Sequence, residues 1–196
     1  MMIGITGGFG SGKTTVSHIF KKYGFEVINV DKLYHNIYRK NNSLKNKIKK
    51  EFGTLNRDQI KKVVFNNSKK LKKLNKITHP VIIKEIEKLI KNNKNKIIIV
   101  DVPLLFEAKI QNIFDKIVVV KCDKKTQIKR LLKKKKYSKK EIENIIKSQM
   151  PLNKKIEYAD FVVDNSKMIK ETDKQVRDII GKCANRPKNL LMENHA

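Results

Sequence analysis

Apolar residues fall along this chain in two rhythms. Short, nearly continuous apolar runs occur at Met2–Thr6 (MIGIT), Phe25–Val30, Lys96–Val100 (KIIIV), Lys116–Lys121 (KIVVVK) and Asp160–Asp164 (DFVVD). Runs of this kind read as strands buried on both faces. Between them apolar residues return at every third or fourth position, the period of an amphipathic helix. Val16, Ile19 and Phe20 do so within Lys13–Tyr23, and Gly24 ends that helix. Leu33, Ile37 and Tyr38 continue the pattern, followed across 41–92 by Ile60, Val63, Val64, Leu71, Leu74, Ile77, Ile82, Ile86, Leu89 and Ile90. Lys124–Lys135, Ser138–Gln149 and Met168–Cys183 complete the set. A residue before proline is biased away from helix, so two helices or a kink are predicted at His79–Pro80. After Asn185 the rhythm stops, and 185–196 reads as a frayed tail.

Five strands alternating with helices predict an α/β fold of three layers, a mostly parallel five-stranded sheet covered on both faces. Its length of 196 residues suits a single domain. Functional residues in such folds gather beyond the carboxyl ends of the strands. The helical stretch from 41 to 92 reads as an insertion that caps this edge.

Composition narrows the class. Hydrophobic residues make up 39% of the chain, enough for a folded core, and no apolar run is long enough to span a bilayer. Met1 leads directly into a strand, leaving no room for a signal peptide. Cys122 and Cys183 lack metal-ligand spacing, so both are expected to be reduced thiols in a cytoplasmic protein. The formal net charge of +27 raises the question of nucleic acid. Only five of the 46 basic residues are arginine, and the lysines are spread over nearly every polar helix face. No compact basic patch interleaved with aromatics is visible. Solvated lysine faces with a general pull on polyanions, and no specific nucleic-acid partner, are the reading. In a chain this poor in arginine, an arginine at a motif position is the more informative.

The chemistry starts at Thr6–Val16, TGGFGSGKTTV, which contains Gly7-x-x-x-x-Gly12-Lys13-Thr14. Glycines here let successive backbone N–H groups face phosphate oxygens at a helix N-terminus. Lys13 brings charge to the outer phosphates, and the Thr14 hydroxyl is placed to bind Mg²⁺. The pattern follows a strand and opens a helix, the context a phosphate-binding loop requires. Asp31 sits just past the second strand, at the carboxyl edge of the sheet, where a carboxylate can face the γ-phosphate and accept an acceptor's proton. Helix N-capping is the alternative reading there. Asp101 closes IIIVD like the carboxylate that supports Mg²⁺ in phosphate-loop enzymes, or caps a strand end. The following Val102–Glu107 (VPLLFE), with Pro103 and Leu104, suits a rigid wall beside an acceptor pocket. Arg130 lies on a cationic helix able to close over a triphosphate, and a planar guanidinium suits phosphate. His79 has no role assigned by its chemistry alone.

Together these stretches resemble the dephospho-coenzyme A kinase family from Ile3 to about Val176. The matching segments are IGITGGFGSGKTTV, GFEVINVD, EFG with Arg57, VF at 64–65, ITHP, DVPLLFE, TQIKRL, SQMP with Lys155, and YADFVVDNS. The resemblance implies a phosphate-loop kinase core, a helical coenzyme-binding part and a mobile lid. It divides the chain into a nucleotide-binding core (1–32, 93–123, 150–184), a coenzyme-binding part (33–92) and a lid region (124–149). It implies transfer of the ATP γ-phosphate, with Mg²⁺, to the ribose 3′-hydroxyl of dephospho-coenzyme A. Gly8, Phe9, Gly10, Ser11, Gly12, Lys13, Thr14 and Thr15 would then hold the phosphates, and Asn165 would lie near the adenine. Thr14 and Asp101 would serve the metal, and Asp31, Lys13 and Arg130 the transfer. Asp31, Arg57, His79, Pro103 and Leu104 would meet the coenzyme, with Arg130 and Gln149 at lid positions. The chain departs from the family pattern at Asn29, usually Asp, at Lys134, often Arg, and at Lys167, commonly Gly. A monomer or weak homo-oligomer without a membrane partner is expected. The competing readings are a nucleoside or nucleotide kinase on the same core, a phosphate-loop protein that binds nucleic acid, and an inactive relative that only binds the coenzyme.

Overall fold

A computed structural model of the chain describes residues 1–65, 67–91 and 97–184. The expected tail at 185–196, and Lys96 at the start of the expected third strand, lie outside them. The apolar runs form β1 (Met2–Gly7), β2 (Glu26–Asn29), β3 (Ile98–Asp101), β4 (Lys116–Lys121) and β5 (Phe161–Asp164). They make one sheet in the order β2-β3-β1-β4-β5, and all four pairings are parallel. Parallel neighbours require crossover connections. These are supplied by α1 (Lys13–Lys22), by α2 (Val30–Lys40), α3 (Asn42–Phe52), α4 (Arg57–Phe65) and α5 (Ser68–Lys91) between β2 and β3, and by α6 (Lys124–Lys133), α7 (Lys139–Lys147) and α8 (Leu152–Glu157) between β4 and β5. Helix α9 (Ile169–Ala184) follows β5.

Side chains alternate across the sheet as the two-residue period of a strand demands. Ile3 and Ile5 of β1, Ile99 of β3 and Val118 and Val120 of β4 meet Val16, Ile19 and Phe20 of α1 and Val176 and Ile179 of α9. Met2, Ile98, Val100, Ile117 and Val119 join the other cluster, with Ile86 of α5 and Leu105, Phe106, Ile110 and Phe114 from the segment after β3. Gly4 makes room on that side, because a Cβ there would lie 2.8 Å from Leu105 Cδ1 and 2.9 Å from Phe114 Cγ. Each large side chain so buried contributes about 1.5–3 kcal/mol. Helices α2 to α5 have a small core of their own around Leu44, Ile48, Ile60 and Val64, with Tyr34, Leu71, Leu74 and Ile77 packed against it.

Two expectations need correction. The chain does not divide into two helices at His79–Pro80: α5 runs through Pro80 without a break. Pro80 lacks the N–H that would bond the Lys76 carbonyl, but both residues are exposed, which leaves that carbonyl to solvent. Packing on both sides of the proline holds the helix together, with Leu74 and Ile77 in the insertion's core and Ile82 and Ile86 in the sheet's. The second correction concerns the end of β2. The strand stops at Asn29, which caps α2 by accepting a hydrogen bond from Lys32 N at 2.9 Å. Asp31 is therefore not the cap and sits within the first turn. The short α8, led in by Pro151, is an element the apolar rhythm did not predict.

Candidate active site

Strand β1 runs directly into the Gly7–Gly12 loop and α1. Gly10 (φ 79°) and Gly12 (φ 91°) take left-handed backbone angles, which suit glycine. A Cβ would also come within 1.9 Å of Asn165 Nδ2 at Gly12 and within 2.7 Å of Leu131 Cγ at Gly10. Asn165 is buried just past β5. Its Nδ2 donates to the Ser11 carbonyl at 2.9 Å, and its Oδ1 accepts from Thr172 Oγ1 of α9 at 3.0 Å. The residue expected near the adenine thus also pins the loop to the sheet. Arg130 of α6 donates from Nη1 to the Asn165 carbonyl at 2.8 Å.

These elements enclose a cavity of about 690 Å³. Gly10, Gly12, Lys13, Thr14 and Thr15 form one side; Arg130, Lys133, Lys134, Asn165 and Lys167 also line it. Among the described residues five cations and no carboxylate border the space, an arrangement suited to a polyanion. Gly8, Phe9 and Ser11 are not among its lining residues. Phe9 faces the 124–149 segment instead. Its N–H donates to Gln149 Oε1 at 2.9 Å, its carbonyl accepts from Gln127 Nε2, and its ring meets Tyr137 edge-on at 5.4 Å.

Beside the loop lies a group of charges, of which Asp101 and Lys155 are buried, Lys13 and Glu107 partly so, and Asp31 exposed. Burial holds the Lys13 ammonium below the usual lysine range; Asp101 opposes this, Lys155 adds to it, and Asp31 and Glu107 oppose it. Asp101 is 3% exposed. Burial raises its carboxyl group, Lys13 pulls it down and Asp31 pushes it up. Asp101 Oδ2 accepts from Asn29 Nδ2 at 3.3 Å, and its Oδ1 makes no hydrogen bond among the described residues. The amide at position 29 therefore serves two ends, capping α2 and steadying Asp101, whereas a carboxylate there would repel Asp101. Lys155 Nζ, fully buried on α8, lies 2.8 Å from Glu107 Oε1. Breaking such a pair by removing one partner costs about 3–5 kcal/mol.

On the other side of Asp31 is a second cavity, about 260 Å³ and mostly apolar. It opens between α2, α5 and the segment after β3. Asp31, Tyr34, His79, Pro103 and Leu104 line it, together with Asn75 and Thr78. Arg57 stands next door in a cleft that shares Tyr34 and Leu74 with this cavity, its Nη1 2.6 Å from His35 Nδ1. The structure thus brings Asp31, His79, Pro103 and Leu104 to one pocket, with Arg57 beside it. Gln127, Tyr137, Asn75 and Thr78 were not singled out from the sequence. Gln127 lies within the TQIKRL motif, and Thr78 directly precedes His79; Tyr137 and Asn75 carry no local signal.

Burial also lowers the His79 imidazole below its usual value. A histidine whose folded value is depressed contributes stability at pH above about 6.5, which is lost as pH falls through the lower folded value. The thermal midpoint of the parent chain should therefore drop more between pH 7.5 and 5.5 than that of His79→Gln. Equal slopes for the two chains in paired melting curves would contradict this.

Comparison with known proteins agrees with this geometry. The dephospho-CoA kinase family model matches residues 1–171. A dephospho-CoA kinase of Carboxydothermus hydrogenoformans is 39% identical over 92% of this chain and 93% of its own length. One of Fusobacterium nucleatum is 39% identical over 90% of this chain and 95% of its own. Among solved structures, a dephospho-CoA kinase from Campylobacter jejuni aligns with a TM-score of 0.66 at 26% identity, covering 93% of this chain and 96% of its own. A Shikimate kinase from Aquifex aeolicus aligns with a TM-score of 0.52 at 18% identity over 94% of this chain and 99% of its own, a likeness of fold. Among the described residues no helix is long and apolar enough to cross a membrane. With the phosphate loop at one cavity and a carboxylate at the next, and with relatives matched along nearly the whole sequence, this chain belongs to the dephospho-CoA kinase family.

Proposed function

We propose that the cation-lined cavity takes ATP, the apolar cavity takes part of dephospho-coenzyme A, and the γ-phosphate passes to the ribose 3′-hydroxyl between them. The observation that carries this reading is the placement of Asp31. It lines the acceptor cavity, yet it acts electrostatically on Lys13, which borders the phosphate cavity. Phosphoryl transfer asks little covalent work of a protein; it asks for alignment and for charge placed where charge develops. The loop amides and Lys13 hold the phosphates. Asp31 orients the acceptor hydroxyl and takes its proton. Arg130, fixed by the Asn165 carbonyl, adds positive charge on the lid side of the nucleotide. His79, Pro103 and Leu104 contact the coenzyme, and Arg57 meets its phosphates.

A divalent ion fits beside this arrangement. Asp101 offers a buried carboxylate oxygen without a hydrogen bond among the described residues, and Thr14 is one of the residues that line the cavity. Among the described residues no group of three or more His, Cys, Asp or Glu is placed to hold a metal unaided. Thr14 directly and Asp101 through water would hold Mg²⁺, most of whose ligands are phosphate and water oxygens. When bound, the ion neutralises charge on the β- and γ-phosphates.

The test is direct. The protein is mixed with Mg²⁺, ATP and dephospho-coenzyme A, and the mixture is read by mass spectrometry. Coenzyme A, heavier than the acceptor by one phosphoryl group, should accumulate over many turnovers, while nucleoside monophosphates remain poor acceptors. Release of ADP and inorganic phosphate alone would defeat the acceptor assignment.

A further inference from the structure

The buried Lys155–Glu107 pair lies outside the residues that meet either substrate, yet its contacts lead to the phosphate loop. Glu107 Oε1 forms an ion pair with Lys155 Nζ at 2.8 Å, without the alignment of a hydrogen bond, and accepts from the backbone N–H of Met150 at 2.9 Å. Met150 directly follows Gln149, whose Oε1 accepts the Phe9 N–H at 2.9 Å. One carboxylate, reaching out from the segment after β3, therefore meets both the middle of α8 and the residue next to Gln149.

We propose that Glu107 and Lys155 are positioning residues for the ATP half of the site: the pair seats the lid's carboxyl-terminal end on the core and, through Gln149, sets the Phe9 tip of the phosphate loop. The inference rests on the ATP-binding part of the reading above and is independent of the acceptor. Three features support it. Lys155 Nζ is fully buried and Glu107 mostly so, so the pair is held in one geometry rather than exchanging with water. Phe9 is gripped from both sides, by Gln149 at its N–H and by Gln127 at its carbonyl, so the tip has its shape before phosphate arrives. Preorganisation of this kind removes an ordering cost from binding. Finally, Lys155 and Lys13 are close enough to repel, and Glu107 is the carboxylate in contact with Lys155. The lid end is thus held by a charge balance next to the lysine that faces the phosphates.

A neutral pair separates this role from plain fold stability. Replacing both partners of a buried ion pair by apolar residues is often neutral or stabilising, whereas removing one is costly. Glu107→Ala should lower the thermal midpoint. Glu107→Ala combined with Lys155→Met should recover most of that loss. The double variant should nonetheless bind ATP roughly tenfold more weakly than the parent, about the effect of one hydrogen bond near the upper end of its usual worth. Gln149→Leu should weaken ATP binding by a similar factor, and adding it to the double variant should cause little further loss, since both act on the same contact. Lys155→Arg, which keeps the charge, should stay near the parent. ATP binding is measured by equilibrium dialysis with no acceptor present, so the result does not depend on which hydroxyl is phosphorylated. Recovery of ATP affinity along with the thermal midpoint would overturn the proposal. So would a full multiplicative loss on adding Gln149→Leu. If Glu107→Ala alone fails to fold, Gln149→Leu, Lys155→Arg and the neutral pair still decide the matter.

Discussion

Asp31→Asn should bind Mg·ATP much as the parent does and transfer phosphate about 10²–10⁴-fold more slowly, the span associated with losing a positioned general base. Asparagine keeps the size of the side chain and one oxygen, so the acceptor cavity keeps its shape. What is lost is the capacity to take a proton and the negative charge beside Lys13 and Asp101. A fold defect is too small to mimic the effect. Asp31 lies in the first turn of α2, where a carboxylate stabilises a helix by about 0.3–1 kcal/mol, and Asn29 rather than Asp31 supplies the cap. In a loose transition state the hydroxyl proton leaves late, so a loss near 10² would mark Asp31 as chiefly an orienting group and a loss near 10⁴ as chiefly a base. Single-turnover mixing of enzyme-bound ATP with dephospho-coenzyme A reads the step itself. A rate close to the parent's would remove Asp31 from the chemistry.

The strands were legible because a parallel sheet buried on both faces leaves almost no polar positions inside a strand; KIVVVK and KIIIV have no other good reading. The phosphate loop was legible because its requirements are local: glycines for backbone angle and a lysine and a threonine at fixed offsets. At position 80 the two-helix alternative fails because a local preference, the proline's effect on its neighbour, is set against packing that extends over the whole of α5. At position 29 the sequence offered an asparagine where the family pattern has a carboxylate. Only the structure provides the amide's two partners, Lys32 N and Asp101.

The contacts that shape the loop were beyond the reach of any local pattern. Gln149 and Gln127 meet Phe9 across 140 and 118 positions, and Asn165 meets Ser11 across 154. A glutamine on a helix, like Gln127, or just past one, like Gln149, looks the same in sequence whether it points to water or to a loop on another element. Glu107 and Lys155 are a similar case. Each stands in a recognisable segment, but their pairing depends on how α8 is laid beside the segment after β3. Sequence reasoning finds residues whose job is set by near neighbours; it loses those whose job is to join elements far apart.

Lys13→Met is the case in which activity and stability should part most clearly. Transfer should fall by about 10³-fold or more, because a preorganised cation on the outer phosphates is among the larger single contributions to this chemistry. The ligand-free protein should melt no lower than the parent, and by preference higher. The ammonium's value is held below the usual lysine range even after the pull of Asp101, Asp31 and Glu107 is included. On balance, then, its charge is less well accommodated in the fold than in water. By linkage, a lysine depressed in the folded state costs stability while it is charged in both states, and that cost is relieved as pH rises through the folded value towards about 10.4. The gap in thermal midpoint between variant and parent should accordingly narrow from pH 7 to pH 10. Adding Mg·ATP should reverse the order, raising the parent's midpoint by mass action while leaving the variant nearly unchanged. A variant that melts well below the parent without ligand, or that turns over within tenfold of it, would contradict the placement of Lys13 as a charge kept in readiness for phosphate. Strain of this kind is expected at a site that must stay incomplete until its substrate supplies the missing negative charge.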